Sequence, residues 1–237
     1  MDATRTNMVA DFTIDDEDDT VPASRSDARG EAAGGQYGAM RSSSEVDRFG
    51  VTFVCTGNRA RSPLAAALFA RYTAGLDVAV SSCGTMDVGS QPALDEMLGA
   101  AAALDLDLTA HRSQALTPDG LSESDLVVGF EPAHVSTAVV DGGADFAKTF
   151  VLGELVANLV QVEDDEDIVS HARFVVAVAD SRRIRTRPDP AYSIADPFHA
   201  SRETMWNTSV AIDRLVRALV TGLFGVASAS DDVQTSA

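Results

Sequence analysis

The sequence predicts an α/β fold, a three-layer α/β/α sandwich around a parallel sheet, and three observations carry that expectation. Short β-prone runs alternate with patterns of helical period, the first run passes through a Cys-Thr-Gly-Asn turn into a helix, and a 45% hydrophobic content supports one core of ordinary size. Strands that alternate with helices need crossover connections, which are right-handed and give a parallel sheet covered on both faces.

Order is expected to begin at Phe49, because Val51-Thr-Phe-Val54 is a short β-prone run. Pro63 then opens the apolar helix LAAALFARY. Val78 to Ser82 reads as a second strand, Ala93 to Leu104 as a helix, Leu126 to Phe130 as a buried strand and Pro132 to Val140 as a helix. Lys148 to Leu152 supplies a fourth strand. Helices follow at Gly153 to Leu159, Ile168 to Ala179 and Arg202 to Leu223, the last with apolar positions at helical spacing. One catalytic domain over 48–225 is therefore expected.

Residues 1–47 are rich in Asp, Ser, Ala, Gly and Arg, carry an acidic block from Asp15 to Asp19, and have scarcely any periodic apolar pattern. They read as a disordered, solvated tail, and residues 226–237 as a second one. The N-terminus lacks the basic start and apolar run of a secretory signal, and no stretch approaches the ~18 apolar residues of a membrane span. Two cysteines, Cys55 and Cys83, are too few for a disulfide framework and have no zinc spacing, so a reducing, cytoplasmic location is expected.

A net charge of -18, with Lys148 the only lysine, leaves no clustered basic stripe of the kind nucleic acid requires. So acidic a surface repels small anions at long range, and any phosphate site must be locally positive.

The chemistry concentrates in Cys55-Thr-Gly-Asn-Arg-Ala-Arg61-Ser62-Pro63, where the first strand meets the first helix. Ligands of open parallel sheets bind beyond the C-terminal strand ends. Successive backbone N–H groups from Thr56 through Ala60 form an anion nest there, and the helix N-terminus adds partial positive charge. Nest, dipole and Arg61 together favour the thiolate of Cys55, the nucleophile. Arg61 offers a planar fork to two phosphoryl oxygens, which a lysine cannot match. Gly57 and Asn58 tolerate left-handed backbone angles, and Asn58 is placed to brace the loop. Ser62 is placed to donate to the Cys55 sulfur, or to cap the helix.

The run VTFVCTGNRARSPLAAALF resembles the signature of the low-molecular-weight protein tyrosine phosphatases, a strand ending in Cys, five residues, Arg, Ser and Pro. The likeness extends through SSCGT at 81–85, HRSQALT at 111–117, ESDLVVGFEPAH, TFVLGELV and ADPF at 195–198. It implies a four-stranded parallel sheet, and places Ser82 and His111 with Asn58 and Ser62 in a network supporting the loop. Asp196, followed by Pro197 and Phe198 and shortly by the final helix, resembles the family's acid loop, whereas the rival dipeptide Asp189-Pro190 is followed by Ala191. The resemblance further implies Phe198 as a pocket wall, a tyrosine-phosphorylated protein as substrate, and hydrolysis through a cysteinyl-phosphate with no metal or cofactor. In relatives such enzymes oppose bacterial tyrosine kinases, so a kinase partner is an expectation of the resemblance.

The sequence also departs from the family. Ala60 stands where many members carry a second, protective cysteine, and Cys83 reads first as a small buried strand cysteine, with redox pairing as the alternative. Met86-Asp87-Val88 lacks the aromatic often found there. A related protein-arginine phosphatase has a similar loop with threonine at the position of Arg59, a cation that disfavours a phosphoguanidinium and favours neutral or acidic surroundings. Thiol-dependent arsenate reductase shares the oxyanion loop but relays electrons through later cysteines, and none follows Cys83.

Overall fold

In the computed structural model, which describes residues 47–160, 167–183 and 190–225, four parallel strands lie in the order β2-β1-β3-β4. They are β1 (Phe49–Cys55), β2 (Val78–Gly84), β3 (Leu126–Gly129) and β4 (Thr149–Val151). The helices are α1 (Arg61–Tyr72), α2 (Asp95–Ala102), α3 (Pro118–Ser122), α4 (Pro132–Val140), α5 (Leu152–Asn158), α6 (Ile168–Arg182) and α7 (Arg202–Phe224). Both expected tails, apart from Asp47, lie outside the described residues, as does the rival acid Asp189.

Alternation along β1 divides the core between the two faces of the sheet. Phe49, Val51, Phe53 and Cys55 point into the larger cluster with Leu64 and Leu68 of α1 and Ile212, Val216 and Leu219 of α7. Val54 points the other way, with Cys83, Val127, Leu121 of α3 and Ala138 of α4. Phe49 and Phe69 each meet the ring of Phe224 edge on, which fixes the C-terminal end of α7 beneath β1. Every residue of β1 is buried, as expected of an inner strand with helices on both sides.

From β1 the chain crosses to one edge to make β2, then returns past β1 to make β3 and β4. The direction of winding reverses between β1 and β3, and a crevice opens there beyond their C-terminal ends. Cys55 ends β1, and Phe130 and Glu131 follow β3 directly.

Element boundaries differ from expectation where the loop chemistry intervenes. Helix α1 begins at Arg61 rather than Pro63, with Ala60 as its cap residue. Pro63 is tolerated in the first turn because backbone N–H groups there have no intrahelical partner. Helix α2 starts at Asp95, not Ala93, because the preceding segment is tied to the loop: Leu94 N donates to Arg59 O at 3.0 Å and Arg59 Nε to Pro92 O at 2.8 Å.

Candidate active site

The segment from Cys55 to Arg61 closes a cradle by turning its carbonyls outward. Cys55 O accepts from Thr85 N at 2.8 Å, Thr56 O from Met86 N at 2.9 Å and Arg59 O from Leu94 N at 3.0 Å. Asn58 O accepts from His111 Nε2 at 2.7 Å. Because each peptide is planar and trans, its N–H points opposite to its carbonyl, so the N–H groups of Thr56, Gly57, Arg59 and Ala60 face the interior of the cradle. Helix α1 has no side-chain cap and no acid in its first turn, and its N-terminal N–H groups converge on the same place.

Glycine is required under this loop as well as in it. A Cβ at Gly84 would come within 2.8 Å of Thr56 O and 2.9 Å of Asn58 N, so only glycine lets the end of β2 support the turn. Asn58 occupies the left-handed region, with φ of 51°, and its fully buried amide uses that placement. Its Nδ2 donates to Ser62 Oγ and to Ser82 Oγ, each at 2.9 Å, and its Oδ1 accepts from Gln114 N at 2.9 Å. The structure thus gathers Asn58, Ser62, Ser82 and His111 around one loop.

Ser62 sits in the first turn of α1, not at its cap, and its hydroxyl lies 3.0 Å from Cys55 Sγ. The Ser62 oxygen already accepts from Asn58, so its proton is free to turn either to the sulfur or to Cys83 O at 3.3 Å. With the thiol protonated, S–H donates to Ser62 and Ser62 to Cys83 O. Once the thiolate forms, the Ser62 O–H swings to the sulfur.

Arg61 is fully buried and rigidly held. Nη1 donates to Glu131 Oε2 at 2.7 Å and to Ile194 O at 2.8 Å. Nη2 donates to Thr56 Oγ1 at 3.2 Å and pairs with Asp196 Oδ2 at 2.7 Å. Nε, equally buried, has no hydrogen-bond partner among the described residues. A buried donor left unpaired costs about 1–3 kcal/mol, and an oxyanion in the cradle would relieve it. Ile194 N donates to Phe130 O at 2.8 Å, which docks the segment carrying Asp196 onto the end of β3.

Cys55, Thr56, Gly57, Arg59 and Ala60 line a cavity of roughly 170 Å³ together with Met86, Val88, Leu94, Asp196 and Phe198. Phe198 forms one wall, half exposed, and its backbone N donates to Asp196 Oδ1 at 3.2 Å. In place of a second aromatic, the other walls are aliphatic and thioether.

Glu131 and His134, in the stretch EPAH, were not assigned as site residues from sequence. Their signal was position: they directly follow β3 at the point where the winding reverses. His134 is buried, with Nε2 at 3.2 Å from Thr56 Oγ1 and Nδ1 accepting from Phe130 N at 3.2 Å. Burial, and then the charge of Arg61, push its pKa down from 6.5 to about 4. The folded value lies below the unfolded one, so the neutral ring contributes stability above pH 6.5 that is lost as pH falls toward 4. The loss should reach about 3 kcal/mol. Thermal unfolding across that pH window is expected to show a steeper fall in Tm for the wild type than for His134→Gln, whose side chain does not titrate.

Cys83 does not join the site. It pairs in register with Val54, so its side chain points to the opposite face of the sheet from Cys55. Burial pushes its thiol up to about 12. Cys83 is thus a small buried strand cysteine, and register gives no support to its pairing with Cys55, because adjacent residues of a strand face opposite ways.

Three comparisons with known proteins bear on this site. Residues 50–172 match the family described as Low molecular weight phosphotyrosine protein phosphatase. The probable low molecular weight protein-tyrosine-phosphatase EpsP of Ralstonia nicotianae is 31% identical over 105 residues, spanning 44% of this chain and 71% of that protein. Among solved structures, the fold is similar to a low molecular weight protein tyrosine phosphatase from T. tengcongensis, with a TM-score of 0.55 and 23% identity over 73% of this chain and 97% of that one. It is also similar to the YwlE arginine phosphatase from Geobacillus stearothermophilus, with a TM-score of 0.56 and 23% identity over 74% of this chain and 92% of that one.

Proposed function

The chain belongs to the low molecular weight phosphotyrosine protein phosphatase family, and from that premise we propose that it hydrolyses phosphotyrosine in proteins through a cysteinyl-phosphate on Cys55. The observation that carries this reading is the convergence on one cavity of a sulfur nucleophile, a cradle of inward N–H groups and a carboxyl group at the mouth.

In the first step the phosphoryl group sits in the cradle, its oxygens taking the backbone N–H groups and the Nε and Nη2 donors of Arg61. That displaces the Asp196 carboxylate from Nη2, and once it has taken a proton from solvent the carboxyl lies beside the leaving oxygen. The Cys55 thiolate attacks phosphorus, the bond to the phenolic oxygen breaks, and Asp196 gives that oxygen its proton. In the second step the Asp196 carboxylate takes a proton from water, the water oxygen bonds to phosphorus, and the S–P bond breaks. Cys55 leaves as a thiolate accepting from Ser62.

A flat ring entering the cavity would find apolar contact on Phe198, Met86, Val88 and Leu94, which are among its lining residues. Arg59, anchored at the rim through Pro92 O, would face a charged phosphoguanidinium with like charge, which favours phosphotyrosine over phosphoarginine. With Cys83 on the far face of the sheet, an internal thiol relay of the kind arsenate reduction uses has no second thiol within the cleft.

Both cysteines are free thiols, and we place the enzyme in the reducing cytoplasm on that ground. No described helix is long and apolar enough to cross a membrane. A tyrosine kinase carrying its own phosphotyrosines is a substrate of the right chemistry.

Asp196→Asn tests the acid. The amide cannot donate as an acid to phenolate, whose parent pKa is about 10, so kcat/KM on a phosphotyrosine peptide, which reports the first step, should fall about 10²-fold or more. The loss should shrink on an aryl phosphate with a strongly acidic phenol, which leaves without a proton. Equal losses on both substrates would remove Asp196 from the role. The reading as a whole is tested by assaying matched phosphotyrosine and phosphoarginine peptides: turnover of the first should dominate, and preference for the second would transfer the activity to phosphoarginine.

A further inference from the structure

We propose that Thr56 is a positioning residue for the second half of the reaction, its hydroxyl held by Arg61 and His134 so that its proton points into the cleft and orients the Asp196 carboxylate as it activates water. The inference rests on the phosphatase reading above, and its test is chosen to fail separately from it.

Donors and acceptors around the hydroxyl decide where its proton goes. Thr56 Oγ1 lies 3.2 Å from Arg61 Nη2, and a guanidinium only donates. It also lies 3.2 Å from His134 Nε2. The direction of that second bond is fixed by the other ring nitrogen: Nδ1 accepts the N–H of Phe130, so the proton of the neutral ring is on Nε2. Glu131 Oε2, at 3.7 Å from Nε2, is too far to take that proton in its place. A protonated ring would set an N–H against the Phe130 N–H, and burial keeps the ring neutral through ordinary working pH. The Thr56 oxygen therefore receives two hydrogen bonds, and its own O–H remains as the one polar valence to be satisfied.

Thr56 and Asp196 both line the cavity and both bond Nη2 of Arg61 in the substrate-free site, so a carboxylate displaced from Nη2 by the phosphoryl group still has the Thr56 hydroxyl as its neighbour. A hydroxyl donor is of most use to Asp196 when the carboxyl is ionised, which is its state once the phenol has left. In that state Thr56 fixes one face of the carboxylate and leaves the other for the proton of the attacking water. Neither Gly57 nor Ala60 has a side chain that can do this.

Thr56→Val keeps the shape and removes the O–H. The expected result is a fall in kcat of about tenfold, the worth of one hydrogen bond, with kcat/KM kept within about twofold and KM lowered in proportion. Rapid mixing should then reveal a burst of phenol equal to the enzyme present, with phosphoenzyme accumulating. Thr56→Ser should restore the wild-type kcat, and the phosphate-induced rise in Tm should be the same in Thr56→Val as in the wild type. Should Thr56→Val fold poorly, Thr56→Ala is expected to give the same split of kcat from kcat/KM. Equal losses in kcat and kcat/KM, or no loss in either, would overturn the proposal. Absence of aryl phosphate turnover by the wild type would instead overturn the phosphatase reading on which it stands.

Discussion

Replacing Cys55 with serine is expected to lower turnover of a phosphotyrosine peptide by more than about 10⁴-fold while leaving the fold and phosphate binding in place. The substitution exchanges sulfur for oxygen at the floor of the cradle and little else, since Cys55 is buried at the end of β1 and touches Ser62 through that atom. A serine hydroxyl in the same cradle is not ionised near neutral pH, and the carboxylate of the cavity, Asp196, is tied to Arg61 Nη2 rather than to that oxygen. The anion site itself is built from backbone N–H groups, the start of α1 and Arg61, none of which the change removes. Phosphate should therefore still raise the Tm of the variant. If Cys55→Ser kept measurable turnover within about tenfold of wild type, the nucleophile would lie elsewhere.

Arg61→Lys is expected to lower kcat/KM by about 10³-fold even though the charge is retained. Four donor contacts leave Arg61 in two directions, to Glu131 and Ile194 on one side and to Thr56 and Asp196 on the other. The fifth donor, Nε, is buried without a partner among the described residues and is left for the phosphoryl group of the substrate, which also takes Nη2 from Asp196. An ammonium carries three donors around a single point and spans neither the two carboxylates nor two phosphoryl oxygens. Stability should fall as well, by about 2 kcal/mol, because Glu131 and Ile194 lose partners in a closed site. A kcat/KM near wild type for Arg61→Lys would reduce the role of Arg61 to charge alone.

The chemistry of the loop was legible because strand, turn and helix all point the same way in VTFVCTGNRARSPLAAALF. The four strands, six of the helices and the parallel sheet could be read from pattern, whereas the short α3 was not foreseen and Asp196 was reached through likeness to a family's acid loop. Ser82 and His111 were reached through likeness to a family, since nothing in their own surroundings marks them. Glu131 and His134 were missed because a carboxylate and an imidazole after a buried strand look like any helix entry until the winding of the sheet is known. The face on which Cys83 lies depended on register between two parallel strands, which alternation within one strand cannot supply. Likewise the pairing of Asp196 with Arg61 joins segments far apart in sequence through the docking of Ile194 on Phe130, a tertiary contact with no local signature.

The most direct test of the central claim is acid-quenched mass spectrometry of the protein during turnover of an aryl phosphate with a strongly acidic phenol, using Asp196→Asn to slow the second step while the first, which needs no acid there, stays fast. One phosphoryl group is expected on the peptide containing Cys55, absent from Cys55→Ser and absent once substrate is exhausted. Release of phosphate with no phosphoryl group on the protein, or its appearance on another residue, would contradict a cysteinyl-phosphate on Cys55.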